Sequence, residues 1–527
     1  MDKPPLIFYT TFILSLIMLH RKLQIAFVLG CWIVQGFCPW TETACFGAEP
    51  SQETNRYNVL FIAVDDLRPE LGCYGVSYIR SPNIDRLAET GRRFTHHYVQ
   101  VPTCGASRYA LLTGRSPFES NATSNDVFFS GSTALRPTAS EEGAQTMPEL
   151  FRRSGYHTAL IGKISHQPDG KVFQYDGTGN GQPELPDAWD ELLTPYGPWN
   201  YGWGAFFAYA EGQSREGQIQ RGNEGRRTRN EISVYEMPEV SDNALPDGMM
   251  ADTAIETLKR LADQKKPFFF GVGFYKPHLP FVAPKRYWDM YEGVDIPLPP
   301  ERQTDTAYGT GSGEFFQYQM SFPKRTPLTS ADAYNVKRAY AACVSYVDAQ
   351  IGRVLDTLTE LRLDQTTIVV LWADHGWHLG EHNVWGKQTL FERSLRSPLI
   401  VRVPGMASPG VPTDALVETL DIFPTLRELC SPSYQKTLYP QAGTSFAAAL
   451  QNPNDPGKSG AYARYSGRTL RTAEYRILAR PNPQGGFRDV ELYDHRTDPD
   501  EEKNIAEDEP ETTRRLLERL HTPHSVP

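Results

Sequence analysis

The chain alternates between short, wholly apolar runs and longer segments whose apolar residues recur every three or four positions. NVLFIAVDD (58–66) is an apolar run ending in two carboxylates, the pattern of a strand buried on both faces. SPNIDRLAETGRRF (81–94) predicts a helix with Ser81 as cap, Pro82 in the first turn and Gly91 as stop. TMPELFRRSGY (146–156) predicts a helix leading into the strand HTALIGKI (157–164). DGMMADTAIETLKRLADQKKP (247–267) predicts another, feeding the strand FFFGVGF (268–274). A long amphipathic helix over 333–361 precedes two further apolar strands, TTIVVLWADHG (366–376) and SPLIVRVPG (397–405). Strands alternating with helices predict an α/β fold with a mostly parallel sheet. Ligands of such sheets bind beyond the carboxyl ends of the strands, where Asp65, Asp66, Asp374 and His375 fall.

Three stretches break the pattern. Residues 165–245 and 292–330 are rich in Gly, Pro, Trp and Asn and read as insertions that wall a pocket. Residues 431–460 read as a linker or loop. Beyond them, TLRTAEYRILAR (469–480) and DVELYDHR (489–496) alternate like strands of a small antiparallel sheet, and ETTRRLLERLHT (511–522) closes as a helix. The expected organisation is a leader over 1–48, a main α/β domain over 49–430, the loop region 431–460 and a smaller α+β subdomain over 461–527.

The leader adds a destination. LIFYTTFILSLIML (6–19), HRK (20–22) and LQIAFVLGCWIVQGF (23–37) run into the small residues of TETACFGAEP (41–50), the layout of a secretory signal. Export is the reading, with an uncleaved leader acting as a membrane anchor as its alternative. The net charge of −10, with no long basic run, argues against a nucleic-acid surface. Seven cysteines, three of them in the leader, leave Cys73, Cys104, Cys343 and Cys430 for the rest of the chain. That is no disulfide framework, and no zinc-binding Cys/His spacing occurs. Asn121 begins an N-A-T sequon, a glycan site only in a eukaryotic source.

Two clusters carry the chemistry. Adjacent carboxylates at a strand end repel unless a cation neutralises them. Asp65, Asp66 and Asp374 offer enough oxygens for a hard divalent ion such as Ca2+ or Mg2+, while His375 also suits softer ions. The alternative is a pair of solvated turn residues. Cys104, in VPTCGASRYALLTGR, falls near the start of a predicted helix, where an anion is favoured. Arg108, four residues on, shares its face. A buried small hydrophobe, a thiolate, a metal ligand and a modified residue all remain open for Cys104 on this basis alone.

Cys104-Gly105-Ala106-Ser107-Arg108 with Leu112-Thr113-Gly114-Arg115 resembles the signature of the type I, formylglycine-dependent sulfatase family. Blocks at 58–75, 81–88, 155–166, 274–281, 346–356, 373–387 and 491–499 are similar, in order, to the iduronate-2-sulfatase-like branch. The resemblance implies an alkaline-phosphatase-like α/β fold with a small C-terminal α+β subdomain. It implies a formylglycine (3-oxoalanine) made from Cys104 by a maturation enzyme, and a sulfated carbohydrate as substrate. It also implies Asp65, Asp66, Asp374, His375 and the modified Cys104 as ligands of Ca2+, with Mg2+ second. Arg108 and Lys163 would offset charge on the nucleophile and the sulfuryl oxygens. His278, aided by Lys387, would be the acid for the leaving alcohol and His166 the base that regenerates the aldehyde. Lys276 and Trp377 would touch the sugar. A phosphodiesterase or phosphonate monoester hydrolase of the same superfamily, and a catalytically silent carbohydrate-binding relative, are the competing readings.

Overall fold

The computed structural model describes residues 56–216, 232–299 and 328–521, the short stretches 306–308 and 314–317, and residue 523. The leader, most of 292–330 and part of the first insertion lie outside the described residues, so the export reading is not addressed by the fold. Among the described residues no helix is long and apolar enough to cross a membrane.

Five of the predicted apolar runs become strands of one eight-stranded sheet: β1 (Asn58–Val64), β3 (His157–Gly162), β5 (Phe268–Phe274), β6 (Thr367–Ala373) and β7 (Leu399–Arg402). The other three are β2 (Arg92–Tyr98), β4 (Glu191–Leu192) and β8 (Thr413–Glu418). Their order is β8-β2-β7-β6-β1-β5-β3-β4. β7 pairs antiparallel with both neighbours, and every other pairing is parallel. β2 has no apolar run to announce it. Its sequence RRFTHHY follows directly on Gly91, the residue read as the helix stop, and buried polar side chains in it are hydrogen-bonded sideways. Arg92, for example, donates to the carbonyls of Ala407 and Leu450 at 2.9 and 3.0 Å.

β1 shows why helices cover both faces. Leu60, Ile62 and Val64 pack on one side with α1 (Pro82–Thr90), α4 (Pro246–Ala262) and α5 (Ser330–Glu360). Val59, Phe61 and Ala63 pack on the other with α2 (Cys104–Thr113), α3 (Met147–Arg153) and α6 (Ile422–Cys430). A strand with both faces buried needs the continuous apolar run that the sequence displays. Residues 431–460 carry one short helix, Ala447–Gln451, and otherwise run as irregular backbone, with Phe446 and Leu450 buried in the second of these cores. The C-terminal unit is the antiparallel sheet β9 (Ala461–Arg464), β10 (Arg468–Arg471), β11 (Tyr475–Pro481) and β12 (Phe487–Asp494), covered by α7 (Pro510–His521). The four cysteines beyond the leader are all free.

In register, Val64 lies opposite Ala373 on one side and Phe274 on the other, and Gly162 lies opposite Gly273. The residues that follow, Asp65, Asp374, Tyr275 and Lys163, therefore leave the sheet at one edge. Gly273 permits this crowding, because a Cβ there would stand 2.1 Å from the carbonyl oxygen of Lys163.

Candidate active site

At that edge the chain turns sharply. Asp66 adopts φ of 60°, a left-handed conformation. Its amide donates to Asp374 Oδ1 at 3.1 Å, and its carbonyl accepts from the Tyr340 hydroxyl of α5 at 2.9 Å. Both carboxylates of the pair are thereby fixed over the strand end. Cys104 is the first residue of α2, with Thr103 in extended backbone before it. The Asn125 side chain accepts from the Gly105 amide at 2.8 Å and the Thr103 hydroxyl at 2.9 Å, holding that helix start. Gly105 lets this loop close in, since a Cβ would meet the Asn125 backbone at 2.4 Å.

Around Cys104 Sγ stand His375 Nε2 and Lys387 Nζ, each at 3.3 Å, and Asp65 Oδ1 at 3.5 Å. Arg108 Nε reaches Asp374 Oδ2 at 3.0 Å and its Nη2 lies 3.5 Å from Asp65 Oδ2. Its Nη1 donates to the Lys163 carbonyl and, at 3.2 Å, to that of Ile164. Lys163 pairs with Asp65, and Lys387 with Asp66 Oδ1 at 2.7 Å and Glu314 Oε1 at 3.1 Å. All of these groups are buried. Burial raises the Asp65 carboxyl, but Lys163 and then Arg108 outweigh it and hold the group well below the usual carboxylate range. Asp66 goes the other way: burial, with Asp65, Glu314 and Asp374 nearby, pushes it up against the pull of Lys387. Burial, reinforced by Asp65, also pushes the Cys104 thiol well up. A thiolate nucleophile is disfavoured in these surroundings.

The histidines are set by carbonyls. His375 Nδ1 lies 3.0 Å from the Gly376 carbonyl and His278 Nδ1 lies 2.6 Å from that of Leu279. A carbonyl only accepts, so each Nδ1 carries the proton and the neutral ring turns the Nε2 lone pair inward. Burial brings His375 down to about 4, and burial followed by Lys387 brings His278 well below its ordinary value. His166 is held down by burial and then by Lys163, and its Nδ1 has no hydrogen-bond partner. An aromatic wall closes this side. The ring of Phe206 packs 4.5 Å from His278 and under Lys163 Nζ at 4.3 Å, and Trp203 packs 5.3 Å from His166.

The fold brings together Asp65, Asp66, Cys104, Arg108, Lys163, His166, His278, Asp374, His375 and Lys387. It corrects the two sugar contacts. Lys276 Nζ donates to the carbonyls of His278 at 3.0 Å and Pro280 at 2.7 Å, so the ammonium braces its own loop. Trp377 is fully buried, packed among Tyr340, Phe281 and Phe315. Both sit beside motif residues in sequence, but the turn of the backbone sends their side chains into the packing. Glu314, Asn125 and Phe206 belong to the site and were not predicted. Phe206 and Glu314 lie in the two insertions read as walling a pocket, and nothing in the sequence pointed to Asn125.

The donor set fits a divalent cation. Asp65, Asp66, Cys104 and His278 each present one ligand atom within 4.8 Å of the others, and so do Asp65, Cys104, Asp374 and His375. Asp66 Oδ2 is buried without a hydrogen bond. The four carboxylates Asp65, Asp66, Asp374 and Glu314 face three permanent cations, Arg108, Lys163 and Lys387, which leaves one net negative charge when all are ionised. Buried negative charge of this kind, on mostly oxygen donors, suits a hard ion.

The sulfatase family model matches residues 57–431, and a model described as the N-sulphoglucosamine sulphohydrolase C-terminal region matches 380–524. The chain belongs to the sulfatase family and is an enzyme of sulfate-ester hydrolysis. It is 30% identical over 443 residues to the iduronate 2-sulfatase of Mus musculus, covering 78% of this chain and 73% of the relative. It is 33% identical over 393 residues to a sulfatase of Formosa agariphila, covering 72% and 70%. Among solved structures it resembles the phosphonate monoester hydrolase of Agrobacterium radiobacter, with a TM-score of 0.67 at 21% identity over 88% of this chain and 95% of the other, a likeness of fold.

Proposed function

We propose that this enzyme removes sulfate from a sulfated sugar of the uronate 2-O-sulfate type, using a formylglycine made from Cys104 and a bound divalent cation, Ca2+ first. The observation that carries the reading is the position of Cys104: a buried thiol held un-ionised yet surrounded within 3.5 Å by Asp65, His375 and Lys387. Such a side chain has no use as a thiolate, and every reason to be converted. As its hydrate, formylglycine supplies one hydroxyl that takes the sulfuryl group as the sugar alcohol leaves, and a second whose deprotonation forms the aldehyde C=O as the C–O bond to sulfate breaks and inorganic sulfate departs. A divalent ion held by Asp65, Asp66, Asp374 and His375 would polarise a sulfate oxygen.

The remaining steps fall to the chain's own groups. Arg108, fixed by Asp374 and two carbonyls, and Lys163, fixed by Asp65, offset charge developing on the sulfuryl oxygens. His278 faces the centre through Nε2, and the negative charge of a bound ester opposes the burial that keeps it neutral, so it can carry the proton that the leaving alcohol takes. Lys387 pairs with Asp66, the carboxylate that His278 Nε2 also faces. His166, with an unpartnered nitrogen, is the base that removes the hydrate proton. The leader over 1–48 supports export, where polymeric sulfated sugars are met.

Mass spectrometry of peptide 94–108 from protein produced with a maturation enzyme tests the reading. Loss of sulfur and gain of a carbonyl at residue 104 is expected; an unmodified thiol in active protein overturns it. Faster turnover of an aryl phosphate diester than of an aryl sulfate would favour the phosphodiesterase alternative.

A further inference from the structure

The hairpin joining β9 to β10 presents two arginines side by side. Arg464 and Arg468 are directly paired across the strands. Their guanidinium carbons lie 5.8 and 5.7 Å from the centre of the same ring, Phe118. Like charges opposed across a hairpin are destabilising unless something offsets them. Among the described residues no carboxylate does so: neither arginine forms an ion pair, and Glu119, next to Phe118, forms none with either. The one polar tie is Arg464 Nη1 to the Pro117 carbonyl at 3.1 Å. In a chain of net charge −10, an uncompensated arginine pair is a local exception.

The hairpin also borders the active site. The Arg464 amide donates to the Gln100 carbonyl at 2.9 Å, four residues before Cys104. The hydroxyl of Tyr465, the next residue and exposed, is pushed up by burial and then by the negative charge of Glu314, which itself pairs with Lys387. α2 runs from Cys104 to Thr113, about 15 Å at a helical rise of 1.5 Å per residue, and Phe118 follows in the short helix Pro117–Ser120. The arginine pair is thus separate from the buried centre around Cys104, and a sugar unit next to the one that carries the scissile ester is what it would meet.

We infer that Arg464 and Arg468 form a second anion subsite, which grips a carboxylate or sulfate on a sugar unit neighbouring the one that carries the scissile ester. The inference rests on the sulfatase reading and makes the substrate an acidic oligosaccharide. Guanidinium forks match the planar carboxylate and the sulfate oxygens, and both are held over the Phe118 ring.

The test uses the matured enzyme and the double variant Arg464→Gln/Arg468→Gln, which keeps the side-chain stems over Phe118. Two probes are compared: turnover of an aryl sulfate, and its competitive inhibition by a size-defined heparin tetrasaccharide and by the corresponding disaccharide. The wild type is expected to bind the tetrasaccharide more tightly than the disaccharide. The variant is expected to lose about tenfold in tetrasaccharide affinity, the scale of a charge-assisted contact, with aryl sulfate kcat/KM within about twofold. The loss should shrink as salt rises. Equal tetrasaccharide affinity in wild type and variant overturns the subsite. If the wild type turns over no aryl sulfate at all, the catalytic reading has failed instead. Arg464→Lys/Arg468→Lys, which keeps the charge, should retain most of the tetrasaccharide affinity; a loss as large as the glutamine variant's would show that only packing was disturbed, and overturn the charge argument.

Discussion

Two buried ion clusters in this molecule use nearly the same residue types and do different things. One is the active site. The other lies where the C-terminal sheet meets the main unit: Glu392, Glu501, Arg471, Arg476, His495 and Tyr98. Glu392, His495 and Glu501 are even close enough for a shared ion. Yet each carboxylate oxygen there has a donor. Glu392 accepts from the Tyr98 hydroxyl at 3.0 Å and from Arg476 at 2.6 Å. Glu501 accepts from Arg476, from His495 at 2.8 Å and from the Glu392 amide at 2.7 Å. Despite burial, Arg476 and His495 hold Glu501 down at about 2. In the active site burial and three carboxylates push Asp66 up, and its Oδ2 is left without a hydrogen bond. Polar saturation, more than residue type or burial, separates the cluster that locks two units together from the cluster that takes a ligand.

The largest break in that comparison comes from Cys104→Ser. It removes the group that maturation converts, so aryl sulfate turnover should fall by about 10^4-fold or more, as for loss of a catalytic nucleophile. The melting temperature should hardly move, because the side chain contributes little packing. Retained turnover would contradict the assigned nucleophile. Glu501→Gln attacks the other cluster and should invert the pattern. Leaving Arg476 and His495 buried with a weakened partner costs about 3 kcal/mol, the scale for breaking a buried pair. Thermal unfolding should shift down clearly while kcat/KM, measured well below the transition, stays within a few-fold. Unchanged stability would show that the junction cluster is ornamental.

Part of the active-site cluster was legible in the sequence for a physical reason: Asp65, Asp66, Asp374, His375 and Cys104 sit at strand ends or at a helix start, where apolar runs stop abruptly at polar residues, whereas Lys163, His166, His278 and Lys387 followed only from the family resemblance. β1 ends in Asp65-Asp66, β6 in Asp374-His375, and α2 starts at Cys104. The junction cluster was not legible. Its arginines lie 25 to 84 positions from the glutamates they pair with, in strands and loops that look solvent-exposed by composition. β2 was missed because its buried positions include Arg92 and His97, which are polar in sequence and find their partners on distant segments, carbonyls for Arg92 and a carbonyl and the Thr419 hydroxyl for His97. Lys276 and Trp377 show the converse limit. Adjacency to a motif says nothing about which way a side chain turns.

Divalent ions sharpen the comparison further. If only the unsaturated cluster accepts an ion, added Ca2+ should raise the melting temperature of the wild type and of Glu501→Gln alike. At a hundredfold excess over Kd that stabilisation is about 2.7 kcal/mol. Asp66→Asn should remove most of the calcium-dependent shift, since it deletes a ligand charge from the buried site. A shift that survives Asp66→Asn but disappears in Glu501→Gln would assign the ion to the wrong cluster and undo the distinction.

His97 tests the same rule with a single neutral group. It is fully buried, with Nδ1 3.1 Å from the Ser397 carbonyl and Nε2 3.0 Å from the Thr419 hydroxyl, and burial lowers it from 6.5 to about 4. A group whose folded value is depressed stays neutral in the fold while the unfolded chain takes up a proton. Its stabilising contribution is therefore full above pH 6.5 and is lost as pH falls toward 4, at up to about 1.4 kcal/mol per pH unit. Stability should decline between pH 6.5 and 4, and His97→Gln, which keeps hydrogen-bonding capacity without a titrating ring, should flatten that decline even if it lowers stability throughout. An unchanged slope would mean that His97 is protonated in the fold, and that hydrogen-bond saturation alone does not identify a buried group as electrostatically silent.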